Sequence, residues 1–188
     1  MNKIFLPLLI FTSLISCKTD TQDLLLDEQE SKAVTSEYKS IPSPQETKSE
    51  IDSVLTTWHA AASTADGDTY FNLMTDDAIF IGTDATENWS LEEFKAFSKP
   101  YFDKGKAWSF TAVDRNVFLS NDGEVAWFDE LLDTWMGACR GSGVLVQQDG
   151  IWKIKHYVLS IAVPNETVNQ LLPLKQNIDR KLLDSLRL

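Results

Sequence analysis

The chain is predicted to fold as an α+β domain, helices first and a long antiparallel meander after them, on three features of its sequence. Apolar residues recur at helical spacing between positions 50 and 102. Asn121-Asp122-Gly123 and Asp149-Gly150 each stand between runs of aromatic and β-branched residues, which is a strong hairpin signal. Ser90-Leu91-Glu92-Glu93 has the spacing of a capping box and marks a helix start between strand-like segments. Because the later strands follow one another without intervening helices, the pattern is α+β rather than alternating βαβ.

Taken in order, Met1-Asn2-Lys3 is basic and Ile4 to Ile15 is almost wholly apolar. That run is too short to span a bilayer as a mature helix and has the form of a signal-peptide core. Its end, Leu14-Ile15-Ser16-Cys17, resembles a bacterial lipobox, which implies a signal peptide over 1–16 and a lipid on Cys17. The expected location is therefore the bacterial cell envelope, in the outer membrane through the lipid anchor, with Lys18-Thr19-Asp20 faintly resembling a surface-export signal. Residues 17–48 are rich in Asp, Glu, Ser, Thr, Gln and Pro and read as an acidic flexible tether, with Leu24-Leu25-Leu26 its one apolar spot.

The domain is expected over 49–166. Ile51, Val54, Leu55, Trp58, Ala61 and Ala62 define an amphipathic helix from Glu50 to Thr64, with Trp58 in its buried face and His59 at the edge of that face. Asp66-Gly67-Asp68 breaks it, and Tyr70, Phe71, Leu73 and Met74 form a short second helix. A strand follows over Ala78 to Gly82, and a third helix runs from Leu91 to about Phe102, its last turn distorted at Pro100. Four strands are expected over 108–119, 124–136, 139–148 and 151–161. The remainder, 167–188, places Leu171, Leu172, Leu174, Ile178, Leu182, Leu183 and Leu186 on one face of a helical tail interrupted near Pro173, which packs back on the domain or contacts a second copy.

The net charge of −11 and pI near 4.5 exclude nucleic acid as the partner, since its phosphates select clustered Lys and Arg. With Cys17 consumed by lipid, Cys139 stands alone and the chain has no internal disulfide. His59 and His156 are the only histidines and lie on different elements without Cys or Asp at ligand spacing, so neither a metal nor any other cofactor is expected. No phosphate-binding glycine loop and no nucleophile elbow is present.

The order helix, short helix, strand, capped helix, four strands resembles the SnoaL-like branch of the nuclear-transport-factor-2-like superfamily over about Glu50 to Glu166. The residues that carry the resemblance are Trp58, the run from Asp76 to Gly82, Glu87-Asn88-Trp89, Ala126-Trp127-Phe128, Arg140-Gly141-Ser142-Gly143, Trp152-Lys153-Ile154-Lys155-His156, Leu159-Ser160 and Pro164-Asn165. It implies a cone, a curved antiparallel sheet wrapped around three N-terminal helices, with a pocket at its open end. The same cone serves isomerases, cyclases, dehydratases, hydrolases and proteins without catalytic activity, so it leaves function open.

Pairing Gln148 with Ile151 across Asp149-Gly150 places Trp152, Ile154 and His156 on one face, with Gly143 opposite His156, and so puts His156 in the cone. The preceding strand has two registers through Gly137-Ala138, one bringing Glu130 and the other Asp129 and Asp133 onto that face. His156 with Glu130 or Asp129 is the candidate acid–base pair, against the alternatives of a core histidine and of a rim salt bridge to Arg140. Candidate ligand contacts are Trp58, Tyr70, Trp89, Trp108, Trp127 and Arg140, of which at most two tryptophans are expected to reach a ligand and the rest to be core. Tyr70 lies on the second helix, so the tyrosine-assisted ketone chemistry of the ketosteroid-isomerase relatives does not carry over. Three functions remain: an envelope-anchored binder of a small, partly apolar molecule, an acid–base enzyme, and a dimeric interaction module without ligand.

Overall fold

The computed structural model describes residues 42–187. The segment 1–16, Cys17 and most of the expected tether lie outside the described residues. The first helix, α1, spans Pro44–Ser63 and so begins before the expected Glu50, inside the segment read as tether. Ser43-Pro44-Gln45-Glu46 is itself a capping box: the Ser43 hydroxyl accepts the Glu46 amide at 3.3 Å and the Glu46 carboxylate accepts the Ser43 amide at 2.7 Å. Pro44 at the first helical position gives up only an N–H that has no helical partner. A proline pair that looks like a linker is here a helix start.

Asp66 caps α2, Gly67–Asn72. Then come β1, Met74–Ile81, and a three-residue strand, β2, Asn88–Ser90, which pairs antiparallel with β1. The Ser90–Glu93 capping box opens α3, Leu91–Phe102, and the helix continues past Pro100. Strands β3, Thr111–Leu119, β4, Val125–Thr134, β5, Gly137–Gln148, and β6, Ile151–Ile161, form the meander. The sheet order is β2-β1-β6-β5-β4-β3. All neighbours are antiparallel except β1 and β6, which run parallel. The sheet is curved but not closed; α1 lies against β3 and β6, and α2 and α3 against β1.

Two register features decide which side chains face the helices. At the β4–β5 turn Thr134 pairs with Gly137 across Trp135-Met136, with Gly137 at φ 86°. Ala126, Phe128, Glu130 and Leu132 consequently point inward, and Asp129 and Asp133 do not. The β5–β6 hairpin closes at Asp149 and Gly150, both with positive φ of 54° and 76°, as a two-residue hairpin turn of matching twist requires. Gln148 pairs with Ile151, and Trp152 and Ile154 are buried. Beyond them Leu145 pairs with Ile154 but Val144 pairs with His156, so Lys155 is an extra residue in a bulge. The bulge inverts the alternation. Tyr157 and Leu159 take the buried positions, Gly143 faces Tyr157, and His156 is half-buried on the opposite face. The expected placement of His156 inside the cone is therefore corrected, and the bulge is the reason.

The C-terminal segment forms a 3-10 turn, Asn165–Thr167, and an unbroken helix α4, Val168–Leu186. Pro173 lies inside it without ending it, contrary to the expected interruption. None of its residues is buried, and Leu174, Ile178 and Leu186 are largely exposed, so α4 does not bury its apolar face on the domain.

Candidate functional site

Two constellations occupy the concave side of the sheet. The first is an aromatic cavity of about 210 Å³ between α3, the loop 103–110 and the β4–β5 turn. In α3, Phe94, Phe97 and Tyr101 recur at helical spacing and share one face. Phe94 is buried against Phe80 of β1, with ring centroids 3.9 Å apart and planes within 12°. Trp89 of β2 stacks on Phe97 at 4.3 Å, and Trp108 meets Tyr101 at an interplanar angle of 63°. Phe110, Trp135, Met136 and Leu159 complete the apolar lining. Glu87 is the one charged side chain among the described lining residues. Its carboxylate accepts the Asp84 amide at 3.1 Å, which pins it across the turn between β1 and β2.

The second constellation is a buried polar cluster around Glu130 of β4. Its Oε1 accepts the Tyr157 hydroxyl at 3.0 Å and lies 2.8 Å from His59 Nε2, and its Oε2 accepts from the Arg115 guanidinium at 2.9 Å. Arg115 is anchored further by Asp52 Oδ1 at 2.8 Å and by the Thr56 hydroxyl at 3.0 Å. Gly141 makes the space, because a Cβ there would meet the Tyr157 hydroxyl and come within 2.7 Å of Glu130 Oε1. Burial pushes the Glu130 carboxyl up, but the His59 hydrogen bond and charge together with Arg115 outweigh it and hold the group below the usual carboxylate range. Burial, reinforced by the Glu130 charge, drives the Tyr157 phenol well above its ordinary value, so it remains a neutral donor.

Glu130 is ionised, receives donors on both oxygens and does not border the aromatic cavity, so it has no free lone pair aimed at a ligand there; its partners His59 and Arg115 both border a different cleft. His59 borders a separate cleft of about 300 Å³ between α1 and β3, with Nε2 committed to Glu130. Among the described residues no three His, Cys, Asp or Glu side chains converge as a metal set would.

The sequence-based candidates separate accordingly. Glu130 faces inward, but its imidazole partner is His59 and not His156, which the bulge turns away. Asp129 lies on the outer face, 4.0 Å from Arg140, and that pair is substantially exposed. Trp127 is also on the outer face, stacked on Phe118 at 5.8 Å. Trp58 and Tyr70 are sealed in the core, stacked at 4.8 Å. Trp89 and Trp108 line the cavity, whereas Arg140 is 60% exposed and does not. Cys17 lies outside the described residues. His59, Arg115 and Tyr157 were not singled out as a site by sequence reasoning. The signal was present in two of them: His59 follows Leu55 by four residues inside an apolar helix stripe, and Arg115 alternates with Val117 and Leu119 on one strand face.

The same architecture recurs in solved structures. A protein of unknown function with the NTF2-like fold from Pseudomonas putida KT2440 superposes with a TM-score of 0.53 at 18% identity, over 63% of this chain and 89% of that one. An NTF2-like protein from Cytophaga hutchinsonii gives 0.53 at 18%, over 61% and 98%. The association domain of C. elegans CaMKII gives 0.52 at 22%, over 62% and 97%. At these identities the likeness is one of fold. No curated protein sequence matches the chain. The sequence profile of the SnoaL-like domain matches residues 51–164, from the buried face of α1 to the end of the meander, and the chain therefore belongs to the SnoaL-like domain family of NTF2-like fold.

Proposed function

We propose that this SnoaL-like domain binds a small, largely apolar molecule in its aromatic cavity. The observation that carries this reading is the division of labour inside the cone: the cavity is walled by aromatic rings, while the buried carboxylate is bonded to the imidazole and to Arg115 away from it. Such a site offers burial of apolar area and little acid–base chemistry. A dry cavity of about 150 Å³ accepts a benzene-sized molecule, so one of about 210 Å³ suits a ligand of one ring or one ring with a short substituent. Titration with a panel of neutral monocyclic aromatics should quench the fluorescence of Trp89 and Trp108 saturably. Ala107→Phe, which fills the cavity from an irregular loop, should weaken that binding at least tenfold with the thermal midpoint nearly unchanged. Equal quenching in the two proteins, or none in either, would overturn the reading.

The same proposal places the domain at the bacterial cell envelope, held by lipid on Cys17. Its support is the basic start, the apolar run and Leu14-Ile15-Ser16-Cys17, read together with an acidic tether. Among the described residues no helix is long and apolar enough to cross a membrane. Intact-mass analysis of the membrane fraction should find a chain that begins at Cys17 and carries acyl groups. An unacylated mature form cleaved elsewhere would rule the anchor out.

A further inference from the structure

We propose that the cavity's ligand is an organic cation, an amine or quaternary ammonium group on a small apolar body. This inference rests on the cavity-binding reading above and names its ligand class. Three observations support it. The walls are aromatic and stand at different angles: Tyr101 and Trp108 are inclined at 63°, and Trp108 and Phe94 at 31°, so the lining rings do not share one plane. The face of an aromatic ring carries negative electrostatic potential, and several such faces around one space attract a cation that has little hydration to lose. The only charged lining residue among those described is an anion, Glu87, with one oxygen held by the Asp84 amide. Among the described residues no Lys or Arg lines the cavity, so none of them would pair there with a carboxylate or phosphate ligand.

The third observation is that one of the lining rings already holds a cation of the chain itself. Lys104 Nζ sits 6.0 Å from the centroid of the Tyr101 ring. Lys104 is thus a tethered ammonium over a ring of the same aromatic wall, a competitor of the kind of ligand proposed. A neutral apolar ligand would gain nothing from Glu87 and would be indifferent to Lys104. A cationic ligand gains from both the ring faces and the carboxylate, and it is opposed by Lys104.

The test compares choline with its uncharged carbon isostere, 3,3-dimethylbutan-1-ol, each titrated against bound neutral aromatic probe in the wild-type protein. The trimethylammonium and tert-butyl groups have nearly the same shape, so their difference reports charge. Choline should displace the probe at concentrations at least fivefold lower than the isostere. Glu87→Gln keeps an oxygen for the Asp84 amide and should remove most of that advantage without changing the isostere's affinity. Lys104→Gln should strengthen choline binding and leave the isostere unaffected. If the isostere competes as well as choline, or if neither substitution alters the ratio, the cation inference fails and the apolar-cavity reading stands. If neither compound nor any neutral aromatic binds, both fall together.

Discussion

Glu130→Ala is expected to cost the domain about 3 to 5 kcal/mol, the range for removing one partner from a buried ion pair. The Arg115 side chain is only 6% exposed and Glu130 is fully buried, so the substitution leaves a guanidinium in the interior facing a void. It also strands the Tyr157 hydroxyl and His59 Nε2, both of which end on Glu130 Oε1. The Tyr157 hydroxyl cannot turn to solvent, because Tyr157 is fully buried with Gly141 directly behind the carboxylate, whereas His59 borders the cleft between α1 and β3 and is the one of the two that water can reach. Asp129→Ala, one residue away on the outer face, removes a loose 4.0 Å contact and should change stability by no more than about 0.5 kcal/mol. Urea denaturation of the two variants checks this directly. A loss below about 1 kcal/mol at Glu130 would mean that water reaches the cluster and takes the place of the carboxylate.

The same carboxylate gives the stability curve a pH dependence of fixed sign. Because its folded value is held below the ordinary one, Glu130 binds a proton less readily in the folded state than in the unfolded. Its contribution is complete above the unfolded glutamate value of about 4.3 and is lost as pH falls below that through the folded value. Glu130→Gln, which cannot titrate, should therefore narrow the gap to wild type at low pH and widen it toward neutrality. A constant gap across pH 3 to 7 would contradict the assignment of this group as the ionised centre of the cluster.

The fold was legible because it depends on features that sequence spacing encodes. The Ser90–Glu93 capping box, the Asp149-Gly150 turn and the apolar stripe of α1 each fix an element locally, and their order names the class. What was not legible depends on single-residue register. One inserted residue, Lys155, moves His156 from the inner to the outer face and puts Tyr157 in its place, and no rule of alternation foresees where a bulge falls. The β4–β5 turn shows the complementary case: two closures were open from sequence, and the one through Trp135-Met136 selects Glu130 over Asp129. Charged residues at apolar positions were the better guide to the cluster. Glu130 breaks the run Ala126, Phe128, Leu132, and a fully buried charge at such a position demands partners, which only the packing of α1 and β3 on β4 identifies as His59 and Arg115.

Trp58→Ala should cost a similar amount, about 3 to 5 kcal/mol, but for a different reason, and the difference can be measured. Trp58 is 1% exposed at the centre of the aromatic core, stacked on Tyr70 at 4.8 Å, edge-on to Tyr157 at 4.8 Å and tilted against Phe80 at 6.4 Å. Truncation leaves a cavity bounded by rigid rings that cannot collapse into it, which places the cost at the upper end for an aromatic side chain. The indole N–H, however, has no hydrogen-bond partner in this interior. A buried donor without a partner carries a desolvation penalty of about 1 to 3 kcal/mol. Trp58→Phe removes that donor while keeping a ring between Tyr70 and Tyr157, so the two effects oppose and the net loss should be under about half that of Trp58→Ala. At Glu130 the ordering reverses. There the near-isosteric Gln keeps one acceptor oxygen but must turn its N–H group toward either Arg115 or the Tyr157 and His59 side, and should recover little, because the site needs charge rather than volume. Denaturation curves for the four variants therefore separate a core held by packing from a cluster held by electrostatics, and equal losses for Trp58→Phe and Trp58→Ala would show that the indole N–H is satisfied after all.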